Sequence, residues 1–596
     1  MILLMREHNR VAKVLATLNP HWEDETLFQE ARRILIAEIQ HITYDEFLKT
    51  ILDGVQYKNA GLEIDPSGYF TGYDSKVDPG IENSVAIGVV GFLGTTFPPT
   101  PVDQATSTKE VNKFENSDLD SLLSGLLVSS TPTLSSAFGS EEASRDLWAY
   151  MVQQERDHGL PGYAKYRERC GLGTSKNFSD LADDISSAGI ASLEELYGSP
   201  NDVDLVAGGL MEGPAHGGLL GRTFSCLLGE QLKRVRLGDR FWYENDFPPN
   251  QFSKEQLAEI KKVTLASLLC VNSGLERVQS QVFLVPDPFL NAPVMCKTIR
   301  RMSLEPWREV GPRELIVPPR LLDLSVEKAK ESLKKRQDME KLVFERGRVV
   351  SPDSAIWKAS GFQQPNDAAL RVANTSIVLE FVTQELTNLF LLKSPNRTAS
   401  LRLKRQALFL PRGPELNAVF VGDRLPQPPP SFCPDGEETR PCDPKSPFRT
   451  FSGWCNNLAA PHFGKELTLF DRLLAPKYED GISTPRLRSV LGGPLPSPRV
   501  ISTFVHPDVS HPNQRYSLVF MQFGQFLDHD VTMTPVHRGF QKSVLDCRSC
   551  DSSHQVHPEC FPIPVPPGDP FFPPMDFGRP RCISFVRSLP GQTKLG

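Results

Sequence analysis

The chain has 596 residues, of which 39% are hydrophobic and 23% charged, and its formal net charge at pH 7 is −7. Such a composition is typical of a globular protein with sizeable cores, and the length predicts about two to four domains. The charge balance excludes a strongly basic surface, so we expect no nucleic-acid partner. No run of about 20 apolar residues occurs, so we expect no helix that spans a membrane.

Signals about the cell compartment conflict with one another. The apolar run between Met1 and His8 is too short for a signal peptide. The 11 cysteines and the glycosylation sequons at Asn177, Asn374 and Asn396 nevertheless suit an oxidising, extracellular setting. We infer that the N-terminus of this sequence is not the native start of a secreted polypeptide.

The N-terminal part is predicted to be mostly helical. Apolar residues recur at helical spacing over residues 27–42, and Pro20 limits that helix on its N-terminal side. Residues 43–46 have the pattern of a capping box, which predicts a second, short helix ending at Asp53. Residues 55–150 are richer in Gly, Ser, Thr and Pro, which indicates loops with short elements between them.

Further along the chain, a second capping-box pattern at residues 253–256 predicts a helix that runs to about Cys270. Residues 324–350 combine many charges with a thin apolar stripe, which is typical of a helix exposed to solvent. Proline clusters at residues 426–430 and 562–574 indicate linkers or loops.

Residues 516–530 are apolar on nearly all sides of a helix, which predicts a buried helix. Within it Gln525, Asp528 and His529 share one face, because residues three and four apart lie above one another. Buried polar side chains must be paired or face a cavity. Periodicity alone leaves two interpretations open, a functional pocket and a hydrogen-bonded core network.

The amino-acid sequence of residues 521–535 resembles that of the distal haem helix of the animal haem peroxidases. The resemblance implies that His529 is the distal acid–base group that transfers a peroxide proton and that Asp528 forms an ester to the haem. It also implies that Gln525 lies in the distal pocket and that Asp530 binds calcium. Imidazole suits proton transfer near neutral pH, and carboxylate oxygen suits a hard cation.

Three other segments carry the same resemblance and are mainly structural signatures: residues 6–12, 156–163 and 238–245. Two of them contain a histidine, His8 and His158. Taken alone, each is interpreted as a hydrogen-bonded packing histidine and not as a ligand.

The order of the segments differs from the family order. Residues 1–308 resemble the back half of a haem peroxidase domain, and residues 431–596 resemble the front half with the distal helix. Residues 309–430 resemble a propeptide-like helical segment followed by a Pro-rich linker. The family's central block, with the distal Arg and the rest of the calcium loop, has no counterpart in this sequence. The predicted fold is therefore a mainly α, haem peroxidase-like helical fold, permuted and incomplete.

The resemblance also implies that the proximal side of the haem site is incomplete. The family places the imidazole ligand of the haem iron shortly after a segment such as Asp78-Pro79, yet no histidine occurs from residue 42 to residue 157. The Asn that would hydrogen-bond this imidazole is replaced by Met151. Both proximal partners are therefore expected to be missing.

The cysteines match the family's disulfides. The resemblance implies the pairs Cys170–Cys226, Cys270–Cys296, Cys442–Cys455, Cys547–Cys560 and Cys550–Cys582. Cys433 is then left over, either free or intermolecular. A zinc site at Cys547 and Cys550 is the competing interpretation, although no second Cys or His pair completes it.

The resemblance implies a haem peroxidase that oxidises a small-molecule or protein donor with hydrogen peroxide through haem b, with Asp528 as the covalent attachment point. Turnover is expected to be impaired because the proximal His and the distal Arg are missing, and the calcium site at Asp530 is incomplete. By family the protein is an extracellular glycoprotein. Two alternatives remain: a non-catalytic secreted relative used in adhesion or matrix binding, and a misjoined product of two neighbouring peroxidase copies.

Overall fold

The computed structural model describes most of the two predicted peroxidase-like halves. The described residues are 2–90, 116–132, 146–215, 217–309, 319–345, 441–466, 468–481, 483–505, 512–538, 543–550, 557–569, 572, 575–576, 579–580 and 582–589. The chain forms two compact units, of which the first combines Met1–Val310 with Glu438–Gly596 and the second is Gly311–Glu437. Segments from the two predicted halves thus lie in one unit.

The first unit is built mainly from helices. Its N-terminal part contains α1 Ile2–Leu18, α2 Asp24–Ile42, α3 Leu48–Ile51, α4 Gly54–Asn59, α5 Asn116–Val128, α6 Leu147–Asp157, α7 Tyr163–Arg169, α8 Ser187–Leu196, α9 Leu205–Met211, α10 Arg222–Gly238, α11 Lys254–Ile260 and α12 Leu265–Asn272. Short π-helical segments cover Thr43–Phe47 and Val85–Val89, and short 3₁₀ helices cover Phe178–Leu181, Pro200–Asp202, Cys296–Thr298 and Glu305–Trp307.

Three more helices follow along the chain. Helix α13, Pro319–Glu345, lies in the second unit, whereas α14, Pro498–Val505, and α15, Leu518–Val531, lie in the first. Leu324 and Met339 of α13 are exposed, as expected for a solvated helix. None of the helices in the described part of the chain is long and apolar enough to cross a membrane.

The strands of the described residues form only small antiparallel pairs. These are β1 Ser130–Pro132 with β4 Pro512–Ser517, β2 Arg277–Gln279 with β3 Pro293–Met295, β5 Ile563–Pro564 with β8 Cys582–Ile583, and β6 Met575–Asp576 with β7 Arg579–Pro580. The predicted mainly α fold is confirmed.

The predicted helix over residues 27–42 is confirmed as α2. The capping box predicted at residues 43–46 is wrong, because Thr43 already has helical backbone angles, φ −60° and ψ −51°. Its hydroxyl donates backwards to the carbonyl of Ile39 at 2.7 Å and so caps no new helix. The helical backbone continues from α2 through the π-helical segment to Ile51.

The second capping box is present. Ser253 accepts a hydrogen bond from the backbone N–H of Gln256 at 3.2 Å, and the Gln256 side chain accepts one from the Ser253 N–H at 2.9 Å. The helix nevertheless ends at Ile260 and not at Cys270. A new helix begins after Thr264, whose hydroxyl accepts from the Ser267 N–H at 3.1 Å and caps α12.

An aromatic cluster joins the predicted back and front halves. The ring of Phe47 lies 5.1 Å from that of Phe520 and 5.3 Å from that of Phe283, and Phe283 lies 5.2 Å from Phe523. Each buried phenylalanine contributes about 1.5–3 kcal/mol of transfer free energy. The cluster therefore stabilises α15 of the front half against segments of the back half.

Ion pairs between the halves are largely buried. Arg499 contacts Asp146 at 2.7 Å, and the two side chains are each 4% exposed. A second pair across the halves joins Arg486 to Asp202 at 2.9 Å. Arg499 also pairs with Asp569 of its own half at 2.7 Å. Removing either arginine would leave a buried carboxylate of the other half without a counter-charge, which costs about 3–5 kcal/mol. Both pairs therefore favour association of the two halves.

All five expected disulfides are present: Cys170–Cys226, Cys270–Cys296, Cys442–Cys455, Cys547–Cys560 and Cys550–Cys582. Each closes within one predicted half. The zinc interpretation of Cys547 and Cys550 is wrong, because both thiols are consumed in separate disulfides. Cys433 lies outside the described residues.

Candidate functional site

Helix α15 carries the four residues that the sequence singled out. The chain enters it from β4 through Ser517, whose hydroxyl donates to the carbonyl of Val282 at 2.5 Å. From Leu518 to Gly524 the helix is buried except for Gln522. The junction between the halves therefore fixes the first two turns of α15.

The prediction that α15 is buried along its whole length is wrong for its second half. Gln525 and Asp528 are half-buried, and His529 and Asp530 are exposed. The aromatic cluster reaches only the first turns, and apolar composition alone does not indicate which part of a helix is covered. The polar residues thus lie on the accessible end of α15.

The Asp528 carboxylate is held by the residue that follows the helix. The hydroxyl of Thr532 donates to Oδ1 of Asp528 at 2.9 Å, and the Thr532 N–H donates to the Asp528 carbonyl at 2.9 Å. Burial raises the pKa of Asp528, while the Thr532 hydrogen bond and the charge of His529 act in the opposite direction. The carboxyl group is therefore oriented and only partly hydrated.

Gln525, Asp528 and His529 lie on consecutive turns of the same helix end, as their spacing predicts. Within the described part of the chain, no hydrogen bond joins their side chains to one another. The interpretation as a hydrogen-bonded core network is therefore not what the structure shows. The side chains of Gln525, Asp528 and His529 are therefore accessible to a ligand.

Asp530 is exposed at the last turn of α15. No group of three or more His, Cys, Asp or Glu side chains arranged to hold a metal ion occurs among the residues the structure covers. Since calcium takes about six to eight oxygen ligands, Asp530 alone does not make a calcium site. Its role as a calcium ligand stays a prediction.

The segment expected to carry the proximal ligand is closely packed. Every residue of the π-helical segment Val85–Val89 is buried, and Met151 of α6 is 4% exposed. A Cβ atom added at Gly88 would lie 2.9 Å from Leu205 and 3.1 Å from the carboxylate of Glu155. The described part of this segment ends at residue 90, and within it there is no room for a larger side chain at Gly88.

Sequence reasoning missed Glu155. It is 2% exposed on α6, and its carboxylate accepts hydrogen bonds from the N–H of Val206 at 2.9 and 3.1 Å. Burial, reinforced by the negative charge of Asp204, raises its pKa well above the usual range. The sequence pattern that could have pointed to Glu155 is its position three residues after Val152, on a helix that is otherwise largely buried.

The two histidines of the structural signatures pack as expected. His158 lies 2.9 Å from the side-chain oxygen of Asn83 and 2.8 Å from the hydroxyl of Ser588, and burial lowers its pKa to about 4. His8 contacts the carbonyl of Phe28 at 3.3 Å and stands edge-on to its ring. Both are satisfied packing histidines.

The described residues do not complete a haem site. The end of α15 offers the accessible side chains of Gln525, Asp528 and His529, which the resemblance assigns to the distal side. No histidine occurs between residues 42 and 157 to supply the iron with an axial imidazole, and Met151 has no group that could orient one. We therefore derive no catalytic step through haem for this chain.

The family model of animal haem peroxidase matches residues 1–283 and 448–596. The chain is 34% identical over 383 residues to peroxidasin of Drosophila melanogaster, covering 59% of this chain and 24% of that protein. It is 35% identical over 332 residues to peroxidase mlt-7 of Caenorhabditis elegans, covering 52% of this chain and 44% of that protein. Peroxidase A of Dictyostelium discoideum is a solved structure with a TM-score of 0.38 and 28% identity, covering 47% of this chain and 55% of that one.

The chain therefore spans less than half the length of these two curated relatives. The family match nevertheless extends over both ends of the sequence and over most of the first structural unit. This chain belongs to the animal haem peroxidase family.

Proposed function

We propose that this chain is a haem peroxidase-family protein that has the distal set of side chains and little peroxidase turnover on its own. One observation carries the proposal: the Gln525, Asp528 and His529 side chains are accessible at the end of α15, whereas Val85–Val89 and Met151 are packed and provide no imidazole. A proximal histidine holds the haem iron in peroxidases, and the described part of this segment offers none.

Within this proposal His529 would lie on the distal side of any haem b that the chain holds, and its imidazole would supply a group able to exchange a proton near neutral pH. Asp528, the neighbouring residue, would be the carboxyl group that forms an ester to the haem, and its Oδ1 accepts a hydrogen bond from the Thr532 hydroxyl. Asp530 contributes one oxygen ligand to an incomplete calcium site. The reactants are hydrogen peroxide and a small-molecule or protein donor.

An extracellular location is part of the same proposal. The five disulfides require an oxidising environment to form and persist. Asn177 of the first sequon is exposed, so an oligosaccharide at this position would meet solvent. The sequons at Asn374 and Asn396 lie outside the described residues.

A second candidate, a non-catalytic secreted relative used in adhesion or matrix binding, is favoured by the packed proximal segment at Gly88. The two candidates differ in haem binding: the first predicts a Soret band in the protein purified with haem, and the second predicts none. Sequencing the transcript across residues 295–320 tests whether the reversed order is genuine or a misjoined product of two neighbouring peroxidase copies.

Replacing His529 by Ala tests the proposed site. We expect the haem spectrum of the full chain to change, because His529 is the accessible imidazole on α15, and we expect the melting temperature to stay within about 2 °C, as for an exposed residue. The matched control, His8→Ala, should leave the haem spectrum unchanged. A spectrum that changes in His8→Ala and not in His529→Ala would refute the assignment.

A further inference from the structure

A small cavity lies where α2 meets residues 447–449 of the front half, and it has no role in the proposed peroxidase site. Its volume is about 20 Å³, which is enough for at least one water molecule or small ion. The lining is formed by Gln29, Arg32, Arg33, Ile36, Ala37, Gln40, Phe241, Tyr243, Asn250, Phe252, Pro447, Phe448 and Arg449. It contains three guanidinium groups and no carboxylate.

Two of the three arginines are neutralised by nearby acids. Arg449 donates to the carboxylate of Asp239 at 2.5 Å. Arg33 pairs with Glu30 at 3.0 Å. Each of these cations therefore has its own counter-charge close by.

Arg32 has only neutral partners among the residues that the structure describes. Its guanidinium donates to the backbone carbonyls of Arg449 at 2.6 Å and Thr450 at 3.2 Å. It also donates to the side-chain oxygen of Gln29 at 3.4 Å and stacks over the ring of Phe451 at 4.4 Å. These contacts hold the group in place and leave its positive charge uncompensated.

The local potential is accordingly positive. Burial first and the charge of Arg449 second lower the pKa of Arg32. Burial also lowers the pKa of Arg240, which stacks on Phe241 beside the cavity; the Arg449 charge acts in the same direction, and Tyr73 and Asp239 oppose it. A partly buried cation without a counter-ion is unfavourable unless an anion approaches it.

We propose that this cavity binds a single small inorganic anion, with chloride as its occupant, bordered by the guanidinium groups of Arg32 and Arg449. A monovalent anion matches the single uncompensated positive charge, that of Arg32, whereas phosphate and sulfate carry more negative charge than this site neutralises. The anion neutralises the excess charge where Arg32 of the back half meets Arg449 of the front half. It therefore stabilises this part of the junction between the halves.

Chloride-35 NMR of the purified full chain tests the proposal. We expect the wild-type protein to broaden the chloride line beyond the broadening caused by a buffer blank, and bromide to reverse that broadening. Arg32→Gln should abolish the excess broadening. The control Arg308→Gln, at an exposed arginine that is paired with Glu305, should retain it.

Three results would overturn the proposal: no excess broadening in the wild-type protein, equal broadening in Arg32→Gln, or displacement by phosphate and not by bromide. Should Arg32→Gln fail to fold, crystals of the wild-type chain soaked in bromide give an independent answer. An anomalous peak beside Arg32 and Arg449 supports the site, and the absence of a peak there refutes it.

Discussion

Glu38 of α2 is 1% exposed, and neither of its carboxylate oxygens has a hydrogen-bond partner in the described structure. Its neighbour Glu7 is also enclosed, but accepts hydrogen bonds from Arg10 at 2.8 Å and from Asn272 at 2.6 Å. Burial and the charge of Glu7 raise the pKa of Glu38 well above its usual range, with Arg10 opposing them. Folding therefore favours the neutral form of the Glu38 carboxyl group.

Because the folded pKa of Glu38 exceeds the unfolded value of about 4.3, the folded state binds the proton more tightly. The resulting stability is complete below the unfolded pKa and is lost as pH rises toward the folded pKa. Glu38→Gln mimics the neutral form, so we expect its melting temperature to exceed that of the wild type by a margin that grows between pH 5 and pH 8. About 1 kcal/mol would correspond to roughly 2–4 °C.

The matched control is Glu195→Gln, at an exposed glutamate of α8. Its melting curve should run parallel to that of the wild type across the same pH range. Parallel curves for Glu38→Gln as well would show that the buried carboxyl group gains no proton on folding.

At the scale of a single element, α15 is stabilised through its first half. Phe520 is 1% exposed and packs on Phe47 and Tyr516, with ring centroids 5.1 and 5.0 Å away. Phe520→Ala should lower the free energy of unfolding by about 3–5 kcal/mol, because it leaves a cavity in the aromatic cluster. Phe289→Ala, at a ring that is 94% exposed, should change it by less than about 0.5 kcal/mol. Urea unfolding midpoints measure both, and similar losses would contradict the packing described for α15.

The elements also show what a sequence pattern indicates and what it does not. Helix α2 and the Ser253 cap follow from apolar spacing and local hydrogen-bonding chemistry, both of which act over a few residues. The exposed end of α15 could not be foreseen, because coverage of a helix depends on segments far away in the chain. Likewise Thr43 has a capping residue type, but its hydroxyl bonds backwards because the preceding turn is already helical.

The sequence likewise indicated only part of the candidate site and of the contacts around it. The resemblance of residues 521–535 singled out Gln525, Asp528 and His529 on α15, and the family resemblance of the cysteines implied all five disulfides. It did not indicate Glu155, whose carboxylate is placed by α9, or the ion pair between Arg499 and Asp146, which are separated by 353 residues. Contacts of that separation leave no local pattern in a sequence.

At the scale of the whole molecule, the first unit is assembled from two stretches of chain that no disulfide joins. Buried ion pairs such as Arg499–Asp146 and the aromatic cluster at Phe520 hold these stretches together without a covalent bond. We propose that residues 1–308 and 431–596 act as one complementary pair of halves.

Proteolytic cleavage at the dibasic pair Lys404–Arg405 tests this pairing. The two fragments should co-elute in size-exclusion chromatography under native conditions. They should separate in denaturant without any reductant, because every described disulfide closes within one half. Fragments that separate under native conditions would show that the junction between the halves is too weak to hold them. A linkage that persists in denaturant until reduction would show a cross-half disulfide.

The most direct test of the account is peroxide-dependent oxidation of a chromogenic donor by the full chain supplied with haem, compared with an intact family member at equal haem content. Without an axial imidazole and a distal cation, we expect turnover to be lower by a factor of about 100 or more. Turnover equal to that of the intact relative would contradict the claim that this chain lacks a working proximal side.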